Sequence, residues 1–313
     1  MSLRHWELYY RDGLLASVPL GEDRGYTLEL RDVWREFFGS LGDCARILDV
    51  GTGNGPIPLI AREVATAAGR RFTIHATDLA RIDPVRDVAD GKRLFEGITF
   101  HPEVATERLP FDADSFDAVS GQYAIEYSAM DDALDELRRV LGPGGRAQFV
   151  LHHDQSVIAR NARETVRLSQ LVLEDTLLFR RMQRYFSTRG RAAAAARSAH
   201  ADLLAAVSVL REAARASGNP MLLARLLENV GQVLGLEGRM GAGAIGVEID
   251  RLESSFRAAL RRTKDLLQAA RSEAAMLESA NLAAVRGFTV AALAPLRHAG
   301  RVLVGWRWNL LRD

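Results

Sequence analysis

The chain has 313 residues, of which 48% are hydrophobic, and this content is sufficient for one large domain or two domains with a buried core. Its 41 basic and 40 acidic residues leave a net charge of +1, which excludes a protein built mainly to neutralise nucleic-acid phosphates. The single cysteine, Cys44, excludes an internal disulfide. Together with the lack of a leader or a run of about 18 apolar residues, it favours a cytoplasmic location.

The charge is distributed unevenly along the chain. Residues 1–154 carry 17 basic and 26 acidic residues, a net of −9, whereas residues 155–288 carry 20 and 13, a net of +7. This contrast predicts two bodies of different charge.

An aromatic arm precedes the first strand. Residues 1–24 predict an irregular segment that carries Trp6, Tyr9 and Tyr10. These rings are interpreted either as a cover for a ligand cleft, where Tyr9 and Tyr10 would contact the substrate, or as a staple that fixes the arm to the surface. Apolar side chains at helical spacing then predict a helix over residues 26–40.

A glycine-rich turn follows the first predicted strand. The segment 47–59 reads Ile-Leu-Asp-Val-Gly-Thr-Gly-Asn-Gly-Pro-Ile-Pro-Leu and predicts a buried strand, a tight turn and a helix. Glycine allows the backbone to take a positive φ and to approach a nucleotide-like ligand closely. The dinucleotide pattern Gly-x-Gly-x-x-Gly is not completed, because Pro56 and Pro58 occupy the positions that would close it.

The second predicted strand ends in an acid. Residues 72–78 are predicted to form this strand, and Asp78 lies 23 residues after Gly55. A carboxylate at this point can accept hydrogen bonds from both hydroxyls of a ribose. The alternative interpretation is a helix N-cap or a solvated turn residue.

The remaining strands of this half follow in order. Strands are predicted at residues 97–101, at 118–120 and at 147–151, with a helix at 131–141 between the last two. Gly142-Pro-Gly-Gly145 closes that helix.

The glycine turn from Asp49 resembles motif I of class I S-adenosylmethionine-dependent methyltransferases. Asp78, the turn Leu109-Pro-Phe111 and the Leu-x-Pro-Gly-Gly ending of a helix agree with that family in order and spacing. The resemblance implies an α/β fold with a doubly wound, seven-stranded mixed sheet, Rossmann-like, and a branch that acts mostly on small molecules. It also implies S-adenosyl-L-methionine as cofactor and S-adenosyl-L-homocysteine as product.

The resemblance implies a set of cofactor contacts at the strand ends. They are Asp49, Gly51, Thr52, Gly53, Asn54, Gly55, Asp78, Leu79, Thr106, Glu107, Gly121 and Gln122. The chain departs from the family where an Asp-Ala pair often binds adenine, because Ala105 and Thr106 stand there. Adenine recognition is therefore expected from the Thr106 hydroxyl or from backbone groups.

Candidate catalytic residues follow strands 4 and 5. His152 and His153 come directly after strand 5, where an imidazole with a pKa near 6.5 can take a proton from the acceptor or can be structural. Tyr127 stands where many relatives carry His and is interpreted as a base or a packing residue, and Tyr123 is expected beside the acceptor. No metal is expected, because adjacent His-His-Asp side chains point to opposite faces of a strand.

A long helical insertion separates strand 5 from a closing pair of strands. Three segments are predicted: the arm and cofactor domain at 1–154, the insertion at 155–286 and the closing strands at 287–313. Helices are expected near residues 156–186, 191–217, 220–236 and 245–285. The insertion is interpreted as a substrate lid, with Phe179, Met182, Tyr185 and Phe186 lining or gating the acceptor site, or as a dimerisation body.

Two patterns in the insertion have alternative interpretations. Apolar residues repeat at 3 and 4 between Ile249 and Ala270, which predicts intramolecular helix packing or a homodimer. A run of arginines indicates a solvated face or a surface for an anionic substrate, a phospholipid or RNA; its members are Arg180, Arg181, Arg184, Arg189, Arg191 and Arg197.

The sequence therefore predicts a methyltransferase that acts on an oxygen, nitrogen or carbon nucleophile of a small molecule. Nucleic-acid amino-group methylation is disfavoured, because the Asn/Asp-Pro-Pro-Tyr/Phe signature is missing after strand 4. The alternatives are methylation of RNA or a lipid head group held by the arginine-rich helices, and a non-catalytic interaction protein with a relic cofactor site.

Overall fold

The protein, represented by a computed structural model, divides into two compact units. One unit comprises residues 1–159 and 268–313, and the other comprises residues 160–267. The residues that the structure describes are 3–15, 28–188 and 193–313. The arm segment 16–24, together with Arg189 and Arg191 of the predicted arginine run, lies outside the described residues.

Seven strands of the first unit form one mixed sheet. They are β1 (Arg46–Val50), β2 (Thr73–Asp78), β3 (Ile98–Pro102), β4 (Phe116–Gln122), β5 (Leu141–Leu151), β6 (Phe288–His298) and β7 (Val302–Arg312). Their order is β3-β2-β1-β4-β5-β7-β6. Strands β1 to β5 pair in parallel, and β7 pairs antiparallel with both β5 and β6. This confirms the predicted doubly wound, seven-stranded α/β sheet.

Helices cover both faces of this sheet, as parallel strands buried on two sides require. In chain order they are α1 (Arg4–Arg11), α2 (Leu28–Gly39), α3 (Pro56–Ala67), α4 (Pro84–Asp87), α5 (Gly91–Leu94), the 3-10 turn Ile125–Tyr127 and α6 (Met130–Val140). Trp34 and Phe38 of α2 are fully buried, as are Phe149 of β5 and Trp308 of β7. The central strands are therefore a rigid support for the residues at their carboxyl ends.

The arm before the sheet differs from its prediction. It was expected to be irregular, but residues 4–11 form helix α1, in which His5 is buried. The spacing of Trp6, Tyr9 and Tyr10 explains the helix, because positions three and four apart share one helix face. Their rings contact one another, with centroids 6.1 Å apart for Trp6 and Tyr10 and 5.7 Å for Tyr9 and Tyr10.

The second unit is helical and has a core of its own. Its helices are α7 (Val157–Gln170), which continues into a π-helical segment (Leu171–Asp175), α8 (Leu178–Thr188), α9 (Ala193–Ala216), α10 (Met221–Leu234) and α11 (Ala242–Ala269). The predicted single helix over 156–186 is broken by this π-helical segment and by Leu177, which takes a left-handed φ of 47°. Ile249 and Phe256 of the predicted apolar seam are buried in this core, which accounts for them by packing within one chain.

The end of the predicted insertion belongs to the first unit. A separate helix, α12 (Glu273–Val285), starts at Ser272, whose side chain accepts a hydrogen bond from the Ala275 N–H. Met276 and Ala283 are fully buried in the core of the sheet unit. The compact helical unit, 160–267, is therefore shorter than the predicted insertion at 155–286.

No helix in the described ranges is both long enough and apolar enough to span a bilayer.

Candidate active site

The glycine turn after β1 has the backbone that its sequence predicts. Gly51 and Gly53 have φ values of 62° and 53°, in the left-handed region that favours glycine. A Cβ on Gly51 would lie 2.3 Å from the Cβ of Ala124, and one on Gly53 would lie 2.7 Å from Cε1 of Tyr10. Both close approaches exclude a larger residue, and Gly55 then caps the start of α3.

Asp78 links the ends of β1 and β2. Its Oδ2 accepts a hydrogen bond from the Gly53 N–H (2.7 Å), and its Oδ1 accepts one from the Ala80 N–H (2.8 Å). Burial raises the pKa of Asp78 to about 6, and the two backbone donors act against this rise. Each carboxylate oxygen retains a lone pair, so the side chain holds the turn and can still accept from a ligand hydroxyl.

Several buried polar atoms around the turn have no partner among the described residues. They are Asn54 Oδ1, Gln122 Nε2 and Thr52 Oγ1, the last of which lies near enough to Asp49 to lower its pKa without a hydrogen bond of ordinary geometry. All three side chains are less than a tenth exposed. Because buried polar atoms are nearly always hydrogen-bonded, these atoms mark a place where a polar ligand completes the structure.

A second buried acid lies at the end of β1. Asp49 is 1% exposed, and its Oδ1 accepts a hydrogen bond from the Ser120 hydroxyl of β4 (2.6 Å). Burial raises the pKa of Asp49 to about 7, and the negative charge of Asp78 adds to the rise. Burial opposes the ionisation of both Asp49 and Asp78, and a nearby positive charge would favour it. The pair therefore favours a positively charged ligand between the strand ends.

Helix α1 is fastened to the glycine turn. The Asn54 side-chain amide donates to the carbonyls of Tyr10 (2.9 Å) and Leu14 (2.8 Å). The Tyr10 ring lies over Gly53, and the Trp6 ring meets Tyr127 edge-on with centroids 6.1 Å apart. The aromatic arm therefore packs against the turn, and its role as a cover for a ligand cleft stays a prediction.

The chain turns sharply after β4. Tyr123 takes a φ of 53°, which is unfavourable for a residue with a bulky side chain and is held by its surroundings. Its N–H donates to the Val150 carbonyl (2.6 Å), its hydroxyl donates to the Val304 carbonyl (3.1 Å), and its ring stacks on His152 with centroids 4.1 Å apart. Tyr123 is 8% exposed, so it supports His152 from within the sheet unit.

His152 and His153 have different surroundings on opposite faces of the chain. His152 is 2% exposed, and burial lowers its pKa to about 3, so its ring is neutral and is a weak proton acceptor at neutral pH. The His153 ring stacks on Trp306 with centroids 4.3 Å apart, and its Nδ1 accepts from the Gln155 N–H. Burial also lowers the pKa of His153. Asp154, whose Oδ1 lies 3.0 Å from the His153 Nδ1, acts against this fall. The role of either ring as a general base stays a prediction.

Tyr127 lies at the exposed side of this group. Its side chain is 37% exposed, and its ring meets His152 edge-on with centroids 6.1 Å apart. A packing role, one of its two predicted interpretations, accounts for these contacts.

Glu126 was missed by the sequence analysis. It is 3% exposed in the 3-10 turn after β4, and burial raises its pKa to about 7. Its Oε1 accepts a hydrogen bond from the backbone N–H of His152 (2.8 Å), while its Oε2 has no hydrogen bond of ordinary geometry in the described part of the chain. One signal was available in the sequence: Glu126 directly follows the apolar pair Ala124-Ile125 just after a strand. An acid in such a turn is usually exposed, so the pattern alone does not indicate burial.

Residues 47–145 match the family profile described as a methyltransferase domain. The chain contains a class I methyltransferase domain. This matches the resemblance predicted from the glycine turn, from Asp78 and from the Pro-Gly-Gly ending.

Related proteins match about a third of the chain. The ubiquinone/menaquinone biosynthesis C-methyltransferase UbiE of Rhizobium johnstonii is 38% identical over 106 residues, which are 32% of this chain and 39% of the relative. The protein of the same name from Brucella abortus is 36% identical over 102 residues, covering 32% of this chain and 36% of the relative. The chain thus matches less than two fifths of the length of these relatives.

Solved structures show similarity over a larger part of the chain. The [4+2]-cyclase SpnF has a TM-score of 0.37 and 24% identity, covering 47% of this chain and 57% of its own. Geranyl diphosphate C-methyltransferase from Streptomyces coelicolor, in complex with Mg²⁺, geranyl diphosphate and S-adenosyl-L-homocysteine, has a TM-score of 0.34 and 18% identity, covering 47% and 63%.

S-adenosylmethionine is the cofactor of class I methyltransferase domains, and the donor set of this domain fits it. Asp78 has lone pairs left for ribose hydroxyls. Thr52 and Asn54 have oxygens without a partner in the described ranges. Asp49 adds a buried acid that favours a cation. When bound, this cofactor supplies a methyl group on a positively charged sulfur.

Three other residues predicted to contact the cofactor differ in exposure and in hydrogen bonding. Leu79 is 52% exposed and offers an apolar surface beside Asp78. Thr106 is half-buried in the loop after β3. Glu107 accepts from the Ala129 N–H at the start of α6 (2.9 Å), so a structural contact occupies it.

Two predicted cofactor contacts at the end of β4 also have packing contacts. A Cβ on Gly121 would lie 3.1 Å from Cγ2 of Val50, so this glycine lets β1 and β4 approach inside the sheet. Gln122 accepts from the Trp34 indole N–H at 2.5 Å through its Oε1, which leaves its amide nitrogen for a ligand.

The residues predicted to line the acceptor site from the insertion are packed inside the helical unit. Phe179, Met182 and Phe186 are at most 3% exposed and belong to its core. The Tyr185 hydroxyl donates to Glu237 Oε2 (3.0 Å). Packing therefore accounts for them in this structure, because apolar residues at helical spacing are typical of a core as well as of a pocket wall. Their contact with an acceptor stays a prediction.

The predicted arginine run is partly neutralised within the helical unit. Arg184 pairs with Asp202 (2.9 Å), and the Arg181 guanidinium donates to the Asp202 carbonyl (3.1 Å). In the described ranges, no group of three or more His, Cys, Asp or Glu side chains is arranged to hold a metal ion.

Proposed function

We propose that the chain is an S-adenosylmethionine-dependent methyltransferase that methylates an oxygen, nitrogen or carbon nucleophile of a small molecule. The observation that carries the proposal is the arrangement around Asp78, whose buried carboxylate holds the glycine turn and keeps lone pairs beside unpaired polar atoms. Relatives named for ubiquinone and menaquinone biosynthesis support a small-molecule acceptor. A cytoplasmic site of action is part of the proposal, supported by the single cysteine.

The chain's own residues would act mainly by alignment. Asp78 would hold the ribose, and Thr52, Asn54 and Gln122 would complete their hydrogen bonds on the polar parts of the cofactor. Tyr10 and Trp6 of α1 would exclude water from the turn. Alignment is the main requirement, because the methyl group is activated before it reaches the protein.

We further propose that the helical unit, residues 160–267, selects the acceptor. The support is its place in the chain: the segment begins soon after β5 and His152, and ligands of α/β folds bind at the carboxyl ends of such strands. A homodimer formed through this unit is the alternative that the sequence leaves open.

The cofactor assignment is tested by calorimetry with S-adenosylhomocysteine. Asp78→Ala removes a charged hydrogen-bond acceptor, so affinity is expected to fall roughly 10- to 150-fold, which corresponds to about 1.5–3 kcal/mol. Asp132→Ala changes an exposed acid at the start of α6 and is expected to leave affinity unchanged. Unchanged affinity in a folded Asp78→Ala protein would contradict the assignment.

A further inference from the structure

Glu126 has a free oxygen that the fold does not explain. The side chain is 3% exposed, and Oε2 makes no hydrogen bond of ordinary geometry among the described residues, although the backbone groups of Ala124 and Glu126 lie near enough to lower the pKa of the carboxyl. Leaving a buried carboxylate oxygen without a donor is costly, and most such atoms in native structures meet a ligand or an ordered water. Oε2 therefore requires an occupant.

The rest of the residue is fixed, so the direction of Oε2 is fixed as well. Oε1 accepts from the His152 N–H (2.8 Å), which joins the 3-10 turn after β4 to the end of β5. The Arg271 guanidinium donates to the Glu126 carbonyl (3.2 Å), and the Arg271 N–H donates to the His152 carbonyl (2.8 Å). The first bond holds Oε1 of the carboxylate, and the two Arg271 bonds hold the main chain on either side of it.

The residues bonded to Glu126 also carry unpaired polar atoms. His152 Nδ1 and Arg271 Nε are buried without a partner in the described part of the chain. The neutral His152 ring and the Glu126 carboxylate offer acceptors, and Arg271 offers a donor. Such a set suits a group that can both donate and accept, such as a hydroxyl or an amine.

The position of Glu126 places it beside the cofactor turn. Ala124, two residues earlier, lies against Gly51, where an added Cβ would approach the Ala124 Cβ to 2.3 Å. Strands β1 and β4 are neighbours in the sheet, so the segment after β4 and the glycine turn share one edge. Burial raises the pKa of Glu126 to about 7, and a carboxylate of that basicity is well suited to take a proton at neutral pH.

We propose that Glu126 is a catalytic residue whose Oε2 takes the proton of an O–H or N–H acceptor. This rests on the proposed function and narrows it to acceptors methylated on a protic oxygen or nitrogen. The O–H or N–H bond breaks, and its proton passes to Oε2. The electron pair left on the acceptor forms the bond to the methyl carbon, while the carbon–sulfur pair stays on sulfur.

The test compares two cofactor analogues by calorimetry. Sinefungin carries an amine-bearing carbon in place of the methylated sulfur, whereas S-adenosylhomocysteine has no group there. If Oε2 faces the point of transfer, the sinefungin ammonium meets a carboxylate in the wild-type protein. Glu126→Gln keeps an oxygen for the His152 N–H and puts an amide in place of Oε2. Sinefungin affinity is then expected to fall roughly 10- to 150-fold relative to that of S-adenosylhomocysteine.

A matched variant and a second substitution complete the design. Glu63→Gln removes an exposed acid that pairs with Arg31, and it is expected to leave both affinities unchanged. If Glu126→Gln does not fold, Glu126→Asp keeps the charge but withdraws it by one methylene, and the same loss of sinefungin preference is expected.

The outcomes separate this inference from the proposed function. An equal affinity ratio in wild type and in a folded Glu126 variant, with S-adenosylhomocysteine bound by both, overturns the role of Glu126 alone and indicates that a buried water meets Oε2. A wild-type protein that does not bind S-adenosylhomocysteine overturns the proposed function and this inference together.

Discussion

At the scale of single residues, the position of a side chain in the sheet decides its chemistry more than its type does. The backbone N–H of His152 donates a hydrogen bond to the Glu126 carboxylate. Burial nevertheless shifts the two side chains in opposite directions: it lowers the pKa of the His152 imidazole to about 3 and raises the pKa of the Glu126 carboxyl to about 7. Both shifts disfavour the charged form. The acid thereby becomes the stronger proton acceptor of the two at neutral pH.

The sequence identified residues whose backbone requirement is local and missed those whose role depends on burial. Gly51, Gly53 and Asp78 were predicted because spacing along the chain places them at strand ends, and the structure places them there. Glu126 could not be assigned, because its environment is created by β5 and Arg271, the latter 145 residues away. The burial of Phe179 in the core of the helical unit likewise depends on residues that are distant in sequence.

The raised pKa of Glu126 predicts a dependence of stability on pH. An acid that binds its proton more tightly when folded makes the free energy of unfolding fall as pH rises between the two pKa values. Here that window extends from 4.5 to about 7. Glu126→Gln removes this contribution, so the fall across the window is expected to be smaller than in wild type by on the order of 3 kcal/mol.

Urea unfolding, followed by tryptophan fluorescence, measures the free energy of unfolding of the sheet unit as a function of pH. All four tryptophans, at positions 6, 34, 306 and 308, belong to the sheet unit. Asp49 and Asp78 contribute the same sign in both proteins and cancel in the comparison. Glu63→Gln is the control, since its side chain is exposed. Parallel pH profiles for wild type and Glu126→Gln would rule out the raised pKa.

At the scale of elements, the strands could be predicted well and the ends of helices less well. β1, β2 and β4 are short segments in which apolar and polar residues are mixed, and their parallel order confirms the fold that the resemblance implies. The breaks at Leu177 and Ser272 carry no proline or glycine, so helical periodicity continued across them in sequence. Tertiary packing decides such breaks, which is why a single helix was predicted over each.

Helix α1 is an element whose attachment depends on one side chain. The Asn54 amide donates to two carbonyls of the arm, and a hydrogen bond contributes about 1 kcal/mol. Asn54→Ala is therefore expected to loosen α1 by about 2 kcal/mol and to raise amide exchange in residues 4–11 roughly 10- to 30-fold.

Hydrogen exchange read by mass spectrometry follows α1 directly. Exchange in β1 and β4 should not change, because their ladders do not involve Asn54. Asn161→Ala, an exposed change in α7, provides the comparison. Equal protection of α1 in wild type and in Asn54→Ala would show that the aromatic contacts alone hold the helix.

At the scale of the whole molecule, the chain has one unit with an excess of acidic residues and one with an excess of basic residues, and it passes between them at two points. The predicted contrast between an acidic first part and a basic insertion corresponds in sequence to a sheet unit and a helical unit. The boundary was harder to predict, because α12 is rich in alanine, as α9 of the helical unit is, and shows no sequence signal that it belongs to the sheet unit. Only its burial against the sheet, through Met276 and Ala283, reveals that it completes the first unit.

This boundary leads to a prediction about which part of the chain can be removed. Replacing residues 160–267 by a short flexible linker retains α12, so the remaining sheet unit is expected to fold and to bind S-adenosylhomocysteine with wild-type affinity. Replacing residues 160–280 removes Met276, which is fully buried, and loss of such a side chain alone costs about 2–5 kcal/mol. The longer deletion is expected to unfold at lower urea concentration and to lose the ligand. Calorimetry and tryptophan fluorescence on both proteins measure this difference, and equal stability of the two would mean that α12 is dispensable to the sheet unit. Methyl transfer by a shorter-deletion protein to an acceptor of the full chain would show, in turn, that the helical unit does not select the substrate.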